Sequence, residues 1–306
     1  MSFKYKAYLP TLDMYVDLVE LNTEDYIALV KFISNKDESL IASAFEDIIR
    51  SQISEDIYNK LTRIDKFFIL CTIRSVCVGP MLSLTFEDKD SKKQYTSRVS
   101  ILSVLQGIDD VTEKYSRKIK VSEGIEVTLS SPRELFTNTE EELLLSCINT
   151  ITLNKQTHAF TDMTPEQKST IVDSLPSSIL PVISEYINDI NRTYGEVVMF
   201  KKVNPYTKAE STEEFTVNMF DNSLISFIIT CFSENLKNIY EILYILIRRL
   251  HFSGEFIYKS SFAEVKMYID LYETELKEQE KQANEQERKS AGNSAGPIGN
   301  PVAPTP

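Results

Sequence analysis

Three groups of side chains in this sequence have the residue types that chemistry uses. Glu140, Glu141 and Glu142 are adjacent carboxylates, the raw material of acid–base catalysis. Neighbouring helical residues point in different directions, so the three do not converge on one atom, and acidic residues suit a solvated helix start. Arg248 and Arg249 with His251 could hold an anion. Cations at the end of a helix also simply complement its dipole. Asp65 and Arg74 could form a buried ion pair, but Asp65 reads better as a helix N-cap and Arg74 as a surface residue. As a cap, Asp65 would contribute about 0.5–2 kcal/mol.

The cysteines Cys71, Cys77, Cys147 and Cys231 include no CxxC pair, and His158 and His251 stand alone, so no zinc ligand set can be written. Each cysteine reads as a small buried hydrophobe. The eight glycines include Gly79, Gly107, Gly124, Gly195 and Gly254 as isolated residues of the body, and three more in the tail. Phosphate-cradling loops need clustered glycines, and none is present. No nucleophile has a base and an orienting group beside it in any recognisable motif. The expectation is a chain that is not an enzyme, with no catalytic residue, cofactor or metal, and no small-molecule ligand.

Bulk composition narrows the partners. The 306 residues are 42% hydrophobic and 25% charged, which suits a folded chain. A net charge of -12 argues against nucleic acid, because an acidic surface gains nothing from counterion release. The most apolar stretch, Leu224 to Leu250, is broken at Ser233, Glu234, Asn235, Lys237 and Asn238. Neither half reaches the roughly 20 residues of a membrane span, so membrane insertion is not expected. The first residues, MSFKYKAYLP, lack the apolar core of a signal peptide, and the scattered cysteines suit a reducing compartment.

The elements that would carry these side chains follow from periodicity. Residues 1–22 look extended. Thr23 opens a helix through Tyr26, Ile27, Leu29, Val30 and Ile33, and a second runs over Glu38–Gln52. The run from Ile64 to Val76 is dense enough in apolar residues to be a central buried helix, stopped by Gly79-Pro80. Period-two alternation then predicts a hairpin from Met81 to Ile101 and a second strand pair around Gly124. Glu134 to Ile151 reads as a helix. Thr164-Pro165-Glu166 starts another, and a further helix follows to Asp189. Residues 191–216 read as a loop or a weak hairpin, with strands near Val197–Val203 and Phe215–Val217. An apolar helical pair ends near Leu250, and a last helix runs from about Ser260 into Glu287. The fold class expected is α+β, predominantly α-helical, with a small antiparallel β-sheet inserted between two helical regions. The divisions are 1–80, N-terminal and helical; 81–132, a β unit; 133–289, C-terminal and helical; and 290–306, a low-complexity tail that cannot bury enough surface to fold.

The order of several packing motifs resembles the baseplate hub proteins of T-even-type contractile-tail phages, a family that includes a hub subunit and a hub assembly catalyst. Asp65, Phe67 and Phe68, followed by Arg74, Val76 and Gly79, are similar to its core motif. Arg117 to Pro132 resembles its strand pair, Met163 to Ile187 its acidic helical pair, Asn222 to Tyr240 its late helical segment, and Phe262 to Tyr272 its closing helix. Together these cover roughly residues 8–280. Cys77 stands where the family motif often has serine, and the cysteine pairs that some relatives carry in their loops are missing from the 86–95 turn and the 194–215 loop. The resemblance implies a structural or chaperone role at the baseplate hub, with other hub or tail proteins as partners. It places the protein in the host bacterial cytoplasm during assembly or in the virion tail. The alternative is an intracellular helical adaptor unrelated to tails.

Partner contacts are expected on the last helix, at Phe262, Tyr268 and Tyr272, whose apolar residues occupy several faces. The purified chain should carry no stoichiometric zinc or nucleotide. Elemental analysis returning one zinc per chain would overturn that expectation.

Overall fold

The computed structural model describes residues 4–88, 91–102, 105, 117–153, 155–160, 163–174, 176–190, 198–203, 205–206, 208, 210–215 and 223–293. The fold is α+β and predominantly helical, with small antiparallel sheets. It opens with the hairpin β1 (Lys4–Leu9) and β2 (Met14–Val19), turned through Asp13 at a φ of 49°. Alternation puts Ala7, Leu9, Val16 and Leu18 on one buried face. That face packs on α4 (Arg63–Cys77).

Between hairpin and α4 lie α1 (Thr23–Ser34), α2 (Glu38–Gln52) and the short α3 (Glu55–Tyr58). Asn22 and Asp37 cap the first two, each accepting from backbone N–H groups of the first turn. The predicted bounds of the second helix match those of α2.

Helix α4 is the axis of the molecule. Twelve of its fifteen residues are buried, and the other three, Thr72, Ser75 and Val76, are partly exposed on one face of its second half. Phe67 packs against Phe68 and against Phe227, and Ile64, Ile69, Leu70 and Ile73 are fully enclosed. Gly79 ends the run at a φ of +112°, a conformation that a side chain would strain. The predicted hairpin follows as β3 (Met81–Glu87) and β4 (Gln94–Ser100), with Leu82, Leu84, Phe86, Tyr95 and Val99 inward.

The second sheet has the order β5 (Arg117–Ser122), β6 (Ile125–Leu129), β7 (Ile148–Leu153) and β8 (Gln156–Ala159). This corrects the helix expected over Glu134 to Ile151. Only α5 (Glu140–Ser146) is helical there, and β7 begins two residues later. The cause is a bulge. Leu129 pairs with Ile148 but Thr128 pairs with Thr150, so Asn149 is an extra residue. The insertion swaps the faces of the strand, and Ile148 and Ile151 both turn inward at a spacing of three. In sequence that spacing imitates a helix.

The chain continues through α6 (Pro165–Ser174) and α7 (Ile179–Ile190) to a third hairpin, β9 (Val198–Val203) with β10 (Glu210–Phe215). The weak hairpin is present, but its second strand ends at Phe215 rather than starting there. The C-terminal part is α8 (Ser223–Phe232), α9 (Leu236–Tyr244), one π-helical turn (Ile245–Arg249), α10 (Gly254–Lys259) and α11 (Phe262–Asn293). Helix α11 extends through the first residues of the predicted tail; residues 294–306 lie outside the described set.

These last helices complete the core that the first hundred residues begin. Phe232 packs on Phe45, Phe227 on Phe67, and Phe262 stacks on Tyr26 with ring centroids 4.1 Å apart. Backbone joins the two ends as well: Thr23 N–H donates to the Ser260 carbonyl at 2.9 Å, and Phe262 N–H to the Leu21 carbonyl at 3.2 Å. A chain ending at residue 261 loses Phe262, Val265 and Ile269, all buried. Loss of buried aromatic and aliphatic side chains costs about 2–5 kcal/mol each. Such a truncation should aggregate, whereas one ending at residue 289 should keep the full melting temperature. Thermal melts followed by circular dichroism check both.

Candidate functional site

The charged residues of α4 are the strongest concentration of functional residue types in the chain, and the fold buries them. Arg63 and Asp65 are fully enclosed, and Lys66 and Arg74 nearly so. Sequence reasoning singled out Asp65 and Arg74 but missed Arg63 and Lys66. Their signal was position: basic residues inside an otherwise apolar run that no helix face can bring to water.

Asp65 is not the N-cap of α4. Thr62 is the cap, and Asp65 sits three residues later in a capping box. Its Oδ2 accepts from the Thr62 N–H at 2.9 Å and the Thr62 hydroxyl at 2.8 Å. The remaining lone pairs face the turn between β1 and β2. Thr11 N–H donates to Oδ1 at 3.0 Å, and the Thr11 hydroxyl donates to Oδ2. One carboxylate thus closes the helix start and fastens the N-terminal hairpin to it.

Arg74 is not at the surface and does not meet Asp65. Its Nε donates to the Cys231 carbonyl near the C-terminus of α8, its Nη1 to Gly79 and its Nη2 to Met81 at 3.5 Å. A helix C-terminus presents unpaired carbonyls and partial negative charge, so it receives a buried guanidinium well. The acceptors also explain two other motif residues. Gly79 supplies a carbonyl through a turn only glycine adopts easily, and Val76, half-buried, belongs to the last turn before it.

Two further contacts tie α4 to its neighbours. Lys66 Nζ meets Glu46 Oε1 of α2 at 2.8 Å and lies 5.1 Å from the centre of the Tyr58 ring. The Tyr58 hydroxyl donates to Glu46 Oε2 at 2.8 Å, and Leu135 N–H donates to Oε1 at 3.2 Å. Burial pulls the Lys66 ammonium below the ordinary lysine range, and the Glu46 carboxylate opposes that shift. Arg63 Nε donates to the Glu134 carbonyl at 2.5 Å, while its N–H donates to Pro132 at 2.6 Å. The strand unit that ends at Ser131-Pro132 is anchored there.

The other candidate groups stay apart. Glu140, Glu141 and Glu142 form the first turn of α5; Thr139 caps it, and Glu142 accepts from the Asn138 N–H at 2.7 Å. Arg248 and Arg249, at the end of the π-helical turn, and His251 just beyond it are exposed. All four cysteines are free and buried. Burial pushes the thiols up, to about 11 for Cys77 and about 12 for Cys147 and Cys231, with Cys71 also well raised. A thiol held so far above neutral pH carries almost no nucleophilic thiolate. Among the described residues, no group of three or more His, Cys, Asp or Glu could hold a metal ion. None of their helices is long and apolar enough to cross a membrane.

The residues proposed for partner contact divide. Phe262 is fully buried in the chain's own core. Tyr268 is half-buried against Phe252 and Phe256, with its hydroxyl 2.9 Å from Glu264 Oε1. Tyr272 is half-buried. Large apolar side chains that do reach solvent nearby include Tyr244, Phe256, Met267, Leu271 and Leu276.

Because Asp65 serves four donors rather than one helix end, its removal costs more than a lost cap. Asp65→Ala leaves buried N–H and O–H groups unsatisfied and should cost about 3 kcal/mol or more, given roughly 1–3 kcal/mol per orphaned group. Arg74→Met should be similarly destabilising. Urea titration measures both; a loss below 1 kcal/mol, taken as about the worth of a simple cap, would refute the clamp.

Residues 2–213 match the family model described as T4 bacteriophage base plate protein. No curated protein and no solved structure matches the chain. The match spans the N-terminal hairpin, α4 with its contacts to Thr11, Glu46 and Glu134, and the central sheets, and it stops before the C-terminal helices that supply the Cys231 carbonyl to Arg74. The chain belongs to the T4 bacteriophage base plate protein family.

Proposed function

We propose that this baseplate protein acts without catalysis, as a structural component or assembly chaperone of the baseplate hub, through contacts with other hub or tail proteins. The observation that carries this reading is a division of labour. The charged side chains that could do chemistry on α4 are engaged in bonds within the chain, while large apolar side chains on α9 to α11 face solvent. Exposed aromatic, Met and Leu side chains are what a protein partner covers. Family membership tells against the alternative of an adaptor unrelated to tails.

Conditional complementation tests the proposal. Phage lacking the gene should accumulate unassembled hub proteins, and the full chain supplied in trans should restore baseplates. Mass spectrometry of purified virions then separates the two roles: a component is retained at fixed stoichiometry, and a chaperone is absent from finished particles. Normal baseplates without the gene would refute both.

A further inference from the structure

The helix α10 is flanked by grooves on both sides. The largest, about 990 Å³, lies between the end of β2, α10 and the start of α11. A second, about 510 Å³, lies between α10, α1 and α9 and shares Glu255 and Lys259 with the first. A third, about 380 Å³, runs along α11 beside Val78 and Gly79 and shares Ala263 and Met267 with the first. The three adjoin along the C-terminal helices and share these edge residues, and together they make a grooved surface, the trough.

Its walls are apolar and open. Tyr240, Tyr258, Phe256, Met267 and Leu271 line it, and their exposures run from 37% to 61%. Its charge is acidic. Glu20, Glu24, Glu264 and Asp270 line the trough and form no ion pair with the described residues. Of the lysines in the lining, Lys259 is held by Glu255 at 2.7 Å and Lys266 by Glu234 at 3.5 Å. Lys31 lies over the Tyr240 ring, 6.0 Å from its centre.

Such a surface repels nucleic acid and anionic lipid, because both present phosphates to it. It suits a polypeptide that brings positive charge and apolar anchors together. We infer that this trough is the docking site for a basic, apolar-interrupted segment of another baseplate protein. Lysine or arginine of that segment pairs with Glu20, Glu24, Glu264 and Asp270, and its apolar side chains rest on Phe256 and Met267. The inference rests on the baseplate reading above and gives it a partner chemistry. Electrostatic complementarity of this kind sets which partner binds and how fast it arrives.

The test uses the full chain and an array of overlapping peptides of about 15 residues drawn from all baseplate proteins of the same phage, this chain included. The wild-type chain should bind a few peptides rich in Lys or Arg with apolar residues between, and more weakly as salt rises. Two variants probe the site: Glu20→Lys with Glu264→Lys for charge, and Phe256→Ser with Met267→Ser for the walls. Each should weaken binding by about tenfold or more, which is 1.4 kcal/mol or greater, at an unchanged melting temperature. The milder Glu20→Gln with Glu264→Gln serves if a reversal lowers the melting temperature.

Basic peptides bound equally by both variants would place the site elsewhere and overturn the inference. So would capture of acidic or uncharged peptides, or of peptides from this chain, which would make the occupant a second copy. A chain that binds no peptide yet still restores baseplates in trans would sink the trough and leave the baseplate reading standing. Normal baseplates without the gene would sink both.

Discussion

A guanidinium inside a protein brings five N–H donors and no acceptor, and it keeps its charge. Burying Arg74 is therefore possible only where several oxygens are already fixed around it. Here they come from three places: the end of α8, the Gly79 turn and the start of β3. With the charged residues of α4 buried, each makes a similar demand. Asp65 requires the β1–β2 turn, Lys66 requires Glu46 of α2, and Arg63 requires the 132–134 segment. These contacts tie the N-terminal hairpin, α2, α8 and the 132–134 segment to one helix.

This arrangement explains why the last part of the chain cannot be treated as an appendage. The family match stops at residue 213, yet the Arg74 acceptor at Cys231 and the aromatic partners of Tyr26, Phe45 and Phe67 all lie beyond it. A buried charge deprived of its partner is strongly destabilising, because it is left uncompensated. In this chain each charged residue of α4 has partners from only one or two distant segments, so a misdocked hairpin or helix would leave a charge buried without its oxygens or protons.

The same economy shapes the surface. Helix α11 is packed at its start through Phe262, Val265 and Ile269 and then leaves the body. From Glu273 to Gln286 every residue is exposed. Its support there is local, through the Glu273–Lys277 pair at 3.8 Å and the Gln279–Glu275 bond at 3.2 Å, and each such pair contributes only a few tenths of a kcal/mol. A helix that is polar all round holds together by such pairs and by propensity rather than by a core. The surface suited to a partner therefore lies nearer the body, where α9, α10 and the first turns of α11 leave aromatic and sulfur-bearing side chains open.

Much of this was legible in the residues alone. Apolar periodicity defined α1 and α2, the Thr164-Pro165-Glu166 start defined α6, and strict alternation defined the β3–β4 hairpin, because there one local rule governs each position. The dense run from Ile64 to Val76 already marked α4 as central. Three things needed the tertiary structure. Strand β7 imitates a helix because a bulge at Asn149 resets its faces, and only its pairing with β6 reveals that. Asp65 was taken for a cap because its partner Thr11 lies 54 positions away in sequence. Arg74 looked like a surface residue because arginine normally reaches water, and the carbonyl that keeps it inside belongs to Cys231, 157 positions on. Sequence spacing carries local geometry well. It carries nothing about which distant oxygen will meet a buried charge, so the residues that most resembled a functional site were identified as clamps only when the chain had closed around them.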